Sequence, residues 1–252
     1  MDDGNIMRIN QFRAGIITVF LLFVVNIAWA DSDHALFDPL LKQHVKDGVV
    51  DYPAIGSDPA FGRYIKELAA PLSTTDKNEQ LAFWINAYNA FAIKGILDGR
   101  SPSTFFGRVG YFKKAKYQIG GQKINLYDLE RDVIIPFGEP RIHFAINCAS
   151  GSCPKLLSEI YTADQLEQQL ETSAKDFIAD ASRNRFDRKK KIAYLSKIFD
   201  WFEKDFREHS GSVQKYVAQY VKDPKLAAEL RNDKYKVKYL DYDWSLNGIA
   251  PN

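Results

Sequence analysis

Between Lys77 and Leu97 the chain has apolar residues on every side of a helix. Leu81, Phe83, Trp84, Ile85, Tyr88, Phe91, Ile93 and Ile96 leave it no polar face. A helix of that kind belongs at the centre of a core. Asp76 stands before it as an N-cap, with Glu79 three residues on in capping-box spacing. Shorter helical patterns run over Leu36–Val45, Phe61–Ala69 and from Asn125 to about Ile135, with Pro71 and Pro136 as stops. Others run from Thr162 to about Ala179, then Ile198–Phe206, Val213–Tyr220 and Leu226–Leu230. Tyr117–Ile119 and Gln122–Ile124 flank Gly120-Gly121, a hairpin signal. Ile142–Asn147, Ile192–Leu195 and Lys236–Tyr242 read as strands, and Ser101–Tyr111 as a loop rich in Gly and Phe. Helices grouped around hairpin-type strands, rather than alternating with them, predict one α+β domain.

The first thirty residues have a different pattern. Arg8 and Arg13 precede an apolar run, Ala14–Ala28, broken only by Thr18 and Asn26, and Ala28-Trp29-Ala30 offers small residues for cleavage. This predicts a signal peptide over residues 1–30 and a domain over 31–252, periplasmic or secreted after cleavage near Ala30. The run is short for a membrane span, so no stable membrane insertion is expected after cleavage. The segment carries two charges of each sign, so the remainder keeps the net charge of +2. That balance argues against nucleic acid as a partner. The basic run Arg185, Arg188, Lys189, Lys190 and Lys191 reads as a solvated loop.

Both cysteines lie in Arg141–Pro154, RIHFAINCASGSCP, with one of four histidines, His143. In an exported chain two cysteines form a disulfide by default. A catalytic thiol and a redox-active pair are the other readings. Two cysteines and scattered histidines lack the paired spacing of a zinc site, and no metal or cofactor is expected. On a strand, His143 and Cys148 point to opposite faces, roughly 16 Å apart. A direct pair therefore needs a sharp bend after Asn147. Pro154 suits the first position of a helix, which would place Cys153 at its N-cap, where a thiolate is favoured. Asn86 and Asn89 share one face of the apolar helix and need partners, either an internal network or a ligand. Asp243, in Tyr242–Asn247, is positioned to orient a histidine or to shape a terminal turn. Asp205 is a similar candidate on a helix surface.

Five segments occur in one order: Gly48–Tyr52, the AFWINAYNA run of Ala82–Ala90, His143–Pro154, Leu195–Phe206 and Tyr242–Asn247. Together they resemble the bacterial "domain of unknown function 547" family. The resemblance implies an α+β domain loosely like papain- or transglutaminase-type hydrolases, with a central buried helix against an antiparallel sheet. Those enzymes carry their cysteine at the start of the central helix. Here Lys77–Leu97 contains none, so thiol chemistry would fall to Cys148 or Cys153.

Two functions follow. One is a thiol-dependent hydrolase or acyl transferase acting on peptide-like amides. Cys148 is its nucleophile, His143 the base and Asp243 the orienting acid, while the turn after Cys148 and Asn86 polarise the carbonyl. The other is a non-catalytic binding module for a small molecule or peptide, with a disulfide shaping a loop beside an aromatic cleft.

Overall fold

The structure is a computed structural model that describes Met1 and residues 34–251. Apart from Met1, the expected signal segment lies outside the described residues. The chain mixes helices with small sheets. A 3-10 turn at His34–Leu36 leads into α1 (Asp38–His44), β1 (Val45–Lys46), β2 (Val49–Asp51), α2 (Tyr52–Ser57) and α3 (Pro59–Glu67). The long α4 (Lys77–Leu97) has the span that its apolar pattern predicts, and is buried along nearly its whole length. Asp76 caps it, accepting from the amides of Asn78 and Glu79 at 2.8 and 2.9 Å. The Glu79 carboxylate takes the Thr74 hydroxyl instead of closing the capping box on Asp76.

The stretch expected as a loop after α4 is helical in part. It forms α5 (Phe105–Arg108) and a π-helical turn, Val109–Lys114. The hairpin β3 (Tyr117–Ile119) and β4 (Gln122–Ile124) follows with the predicted bounds. Its turn puts Gly120 and Gly121 at φ 57° and 82°, the left-handed region that glycine reaches without strain. Asn125 caps α6 (Leu126–Asp128), which continues as a π turn at Leu129–Ile134 and a 3-10 turn at Ile135–Phe137.

The next segment departs from expectation. Ile142–Asn147 is not a strand: Pro140–Phe144 is a 3-10 helix, and an irregular turn follows. Two causes are visible. Ile142, Ala145 and Ile146 pack into the core around α4, while Phe144 packs into a second core with Phe177, Phe199, Phe206 and Tyr216. A strand would also need a neighbour, and the backbone partner here is a side chain. Asn89 donates to the Ala145 carbonyl at 3.0 Å and accepts the Asn147 amide at 2.8 Å.

No helix starts at Pro154 either, so Cys153 is not an N-cap. The Pro154 carbonyl accepts the Asn147 side-chain amide at 2.6 Å, which holds the chain in a loop there. Regular structure resumes with α7 (Leu166–Ala179), β5 (Arg185–Asp187), β6 (Ile192–Leu195), α8 (Ile198–Trp201), α9 (Glu203–Ser210), α10 (Val213–Val217), α11 (Pro224–Arg231), β7 (Lys236–Tyr239) and β8 (Gly248–Ile249).

The sheets correct the expectation of one antiparallel sheet. Among the described residues there are three small ones, ordered β1-β2-β8, β3-β4 and β5-β6-β7. Two of them contain a parallel pair, β2 with β8 and β6 with β7. No helix among the described residues is long and apolar enough to cross a membrane. The basic run sits in the β5–β6 turn, where Arg188 pairs with Asp223 and Lys191 with Glu229.

Candidate functional site

Asn147 makes the bend on which a cysteine–histidine site depends. Its side-chain oxygen accepts the Ala149 amide at 2.8 Å, an Asx turn, and Ala149 takes φ 62°. That left-handed conformation is strained for any residue with a Cβ, and the network around Asn147 holds it. The same oxygen accepts from the Asn247 amide at 3.2 Å, and Asn247 in turn accepts the Tyr52 hydroxyl at 2.6 Å. The turn is clamped from outside by Arg183, which donates to the carbonyls of Gly151 and Cys153 at 3.0 and 2.7 Å.

The C-terminal segment lies along this turn. The Gly151 amide donates to the Ser245 carbonyl at 2.7 Å and the Ser152 amide to the Asp243 carbonyl at 3.0 Å. The approach is close: a Cβ at residue 151 would stand 2.6 Å from Asp243 Oδ2, so the exposed Asp243 carboxylate would have to shift.

Both cysteines are free, and their sulfurs lie 2.7 Å apart. Cys153 is buried, whereas Cys148 is partly exposed. The Cys148 amide donates to Cys153 Sγ at 2.8 Å. Ser150 Oγ and Tyr242 Oη stand 3.0 and 3.2 Å from Cys148 Sγ. Burial pushes the Cys148 thiol well above the usual thiol range, and its neighbour Cys153 adds to the rise. Burial opposes ionisation of Cys153 as well, but hydrogen bonds from the Cys148 thiol and amide, Tyr242 and Ser150 outweigh it and bring Cys153 down. The pair thus loses its first proton from Cys153, and Cys148 keeps the other. The source of this field is the Cys148 thiol and amide with two hydroxyls, not a helix dipole.

His143 does not bond to either sulfur. Its Nε2 lies 2.7 Å from Asp205 Oδ2, on α9. A carboxylate only accepts, so Nε2 carries the proton and Nδ1 the lone pair. Nδ1 is buried without a partner. The ring stacks on Phe202 at 3.9 Å between centres. Burial lowers the histidine's pKa against the opposing pull of Asp205, so the ring is neutral at neutral pH.

His143, Cys148 and Cys153 line one pocket of about 400 Å³, within the range of small-molecule sites. Its walls are largely aromatic, with Trp201, Tyr242 and Trp244 packed together and their ring centres 4.5 to 5.6 Å apart. Glu130 lies in the same wall, and burial pushes its carboxyl up to about 8.

The other expected site residues lie elsewhere. Asp243 is exposed and accepts from the amide and hydroxyl of Ser245, both at 2.9 Å. It shapes the terminal turn, and the carboxylate on His143 is Asp205 instead. Asn86 exchanges two hydrogen bonds with the backbone of Tyr161, at 2.7 and 2.9 Å. Asn86 and Asn89 therefore form the internal network, tying loops to α4. Sequence reasoning missed Glu130, Ser150 and Arg183. Ser150 stands in the cysteine motif, but nothing in the local pattern marks Glu130 or Arg183, whose roles come from tertiary placement.

Geometry of the described residues offers no cluster of three or more His, Cys, Asp or Glu able to hold a metal ion. Comparison with curated proteins and with solved structures gave no match. The family model described as "Protein of unknown function, DUF547" matches residues 72–178, a shorter stretch than the five motifs span. Over that stretch, which carries α4, His143 and both cysteines, the chain resembles the DUF547 family.

Proposed function

We propose that this chain is an exported thiol-dependent hydrolase or acyl transferase acting on peptide-like amides. The reading takes residues 31–252 as one α+β domain, loosely papain- or transglutaminase-like, released by cleavage near Ala30 into a periplasm or the medium. Its partner is a small molecule or peptide, not nucleic acid. The observation that supports it is a pair of thiols in contact, opening into a pocket that also holds a neutral histidine with a free nitrogen.

Cys148 is the nucleophile because it is the less buried of the two cysteines that line the pocket. Its sulfur bonds to the carbonyl carbon as its proton passes to the Cys153 thiolate. The hydroxyls of Ser150 and Tyr242 stand beside the reacting sulfur and stabilise the developing oxyanion. The C–N bond then breaks, and the departing amine takes the proton from Cys153. Water, or an acceptor amine in a transferase, attacks the thioester and gives its proton to His143 Nδ1. Cys148 leaves as thiolate and recovers that proton. Asp205 holds the imidazole in the required tautomer.

The test is acylation of the reduced protein by peptide thioesters, followed by intact mass and peptide mapping. An acyl adduct on Cys148, lost in Cys148→Ser, is expected. Turnover should fall about 100-fold or more in His143→Ala, the scale of a lost general base. Acyl release that is unchanged in Cys148→Ser would rule the mechanism out.

The sulfur contact also favours a second reading, a disulfide-stabilised binding module without catalysis. Thiol counting on denatured, periplasmically expressed protein separates them. No free thiol, and no activity gained on reduction, points to the module.

A further inference from the structure

Three cations line the pocket, Arg108, Lys113 and Arg131, and none has a carboxylate partner among the described residues. Several other arginines of the chain are ion-paired: Arg141 meets Glu139 and Glu167, Arg183 meets Asp180, and Arg188 meets Asp223. The pocket cations lie instead against aromatic faces. Arg108 is 4.6 Å from the Trp244 ring centre, Lys113 is 4.2 Å from Tyr127, and Arg131 is 5.2 Å from Tyr127 and 5.3 Å from Phe202. Stacking of this kind holds a cation in place without cancelling its charge. Arg108 is further fixed by a 3.3 Å hydrogen bond to the Pro102 carbonyl.

Among the described residues, the one acidic side chain in the lining is Glu130, whose proton is retained through neutral pH. Three cations stand against the Asp205 carboxylate behind His143 and the ionisable Cys153, so the pocket keeps a positive excess inside apolar walls. At its rim, on the same short helix as Arg108, Phe105 and its neighbour Phe106 are 67 % and 85 % exposed. Large aromatic rings left in water beside unpaired cations make a surface that fits one chemistry, an apolar body ending in an anion.

We propose that the pocket binds organic carboxylates, ligands with an aromatic or acyl body and a carboxylate held by Arg108, Lys113 and Arg131. The inference shares its pocket with the thiol reading, but it is tested by binding alone, so the two fail separately. Tryptophan fluorescence of Trp201 and Trp244 reports occupancy. The full chain is titrated with 3-phenylpropionate, 3-phenylpropanol and 3-phenylpropylamine, which share one body and differ in head group. The same titrations on Cys148→Ser/Cys153→Ser remove any thiol chemistry.

The acid should bind about tenfold or more tightly than the alcohol, the scale of a hydrogen bond to a charged group, and the amine should bind more weakly still. Combined Arg108→Gln, Lys113→Gln and Arg131→Gln should bring the acid down to the alcohol's affinity and leave the alcohol unchanged. N-acetyl-Ala-Phe as the free acid and as the amide identifies the source of the carboxylate. A tenfold gain for that acid over 3-phenylpropionate assigns it to a peptide C-terminus, and parity assigns it to a free organic acid. Equal affinity for the three head groups, or no binding by any carboxylate, overturns the proposal. The head-group comparison uses the unmodified chain and stands even where the triple variant does not fold.

Discussion

Asn89 does the work of a neighbouring strand with a single side chain. It satisfies the Ala145 carbonyl and the Asn147 amide, both in a buried turn, and those are the residues that lead into Cys148. Asn89→Ala strands both groups away from water, a cost of about 1–3 kcal/mol. Denaturant unfolding should show that loss, together with faster modification of the cysteines in the native protein. Glu130 makes a different prediction. Its ordinary pKa of 4.5 is raised to about 8, so between those values the folded state holds a proton that the unfolded state has released. Stability therefore falls as pH rises through that window and is level above it. Arg131 opposes the rise, while Cys148 and Asp205 add to it. Glu130→Gln should flatten the decline, giving a melting temperature above wild type at pH 9 and no such gain near pH 4. Thermal melts across pH decide this.

At the level of elements, the strength of the local signal decided what could be read from sequence. The α4 helix and the β3–β4 hairpin have their expected bounds because the capping residue, the continuous apolar pattern and the Gly120-Gly121 turn all act within a few residues. The failures share a cause. Ile142–Asn147 is as apolar as a buried strand, yet its hydrogen bonds go to Asn89 on α4, a partner more than fifty residues away. Likewise Asp205 meets His143 from sixty-two residues on, so the carboxylate that orients the ring could not be told from Asp243 by pattern. The short β8 shows how much hangs on one small element. A Cβ on Gly248 would stand 2.0 Å from the Val50 carbonyl oxygen, a backbone atom that cannot move aside. Gly248→Ala should break the β2–β8 pair and loosen the segment that packs on the cysteine turn. Limited proteolysis should then cut near the C-terminus, and thiol reagents should reach Cys148 faster. Unchanged cleavage and thiol rates would mean that the turn stands without β8.

The whole pocket is wider than the stretch that resembles a known family. Residues 72–178 supply His143, Glu130 and the cysteines, while Trp201, Phe202, Tyr242 and Trp244 come from beyond it. The family-like stretch thus supplies the thiols, His143 and the three cations, and a later part of the chain completes the aromatic wall. The export reading predicts a mature N-terminus at Asp31, to be checked by intact mass after expression with the leader in a bacterial host. Mass corresponding to an uncleaved chain would retain the leader as an anchor. The hydroxyl of Tyr242 and the amide of Asn247 reach the cysteine turn across about a hundred residues of sequence. Synthesis runs from Cys148 toward Tyr242, so a nascent chain carries its two thiols unshielded until Tyr242 and Asn247 follow. The order of synthesis therefore makes arrival of the Tyr242–Asn247 segment a maturation step: chains interrupted before Tyr242 should be the ones trapped as mixed disulfides with cellular thiols.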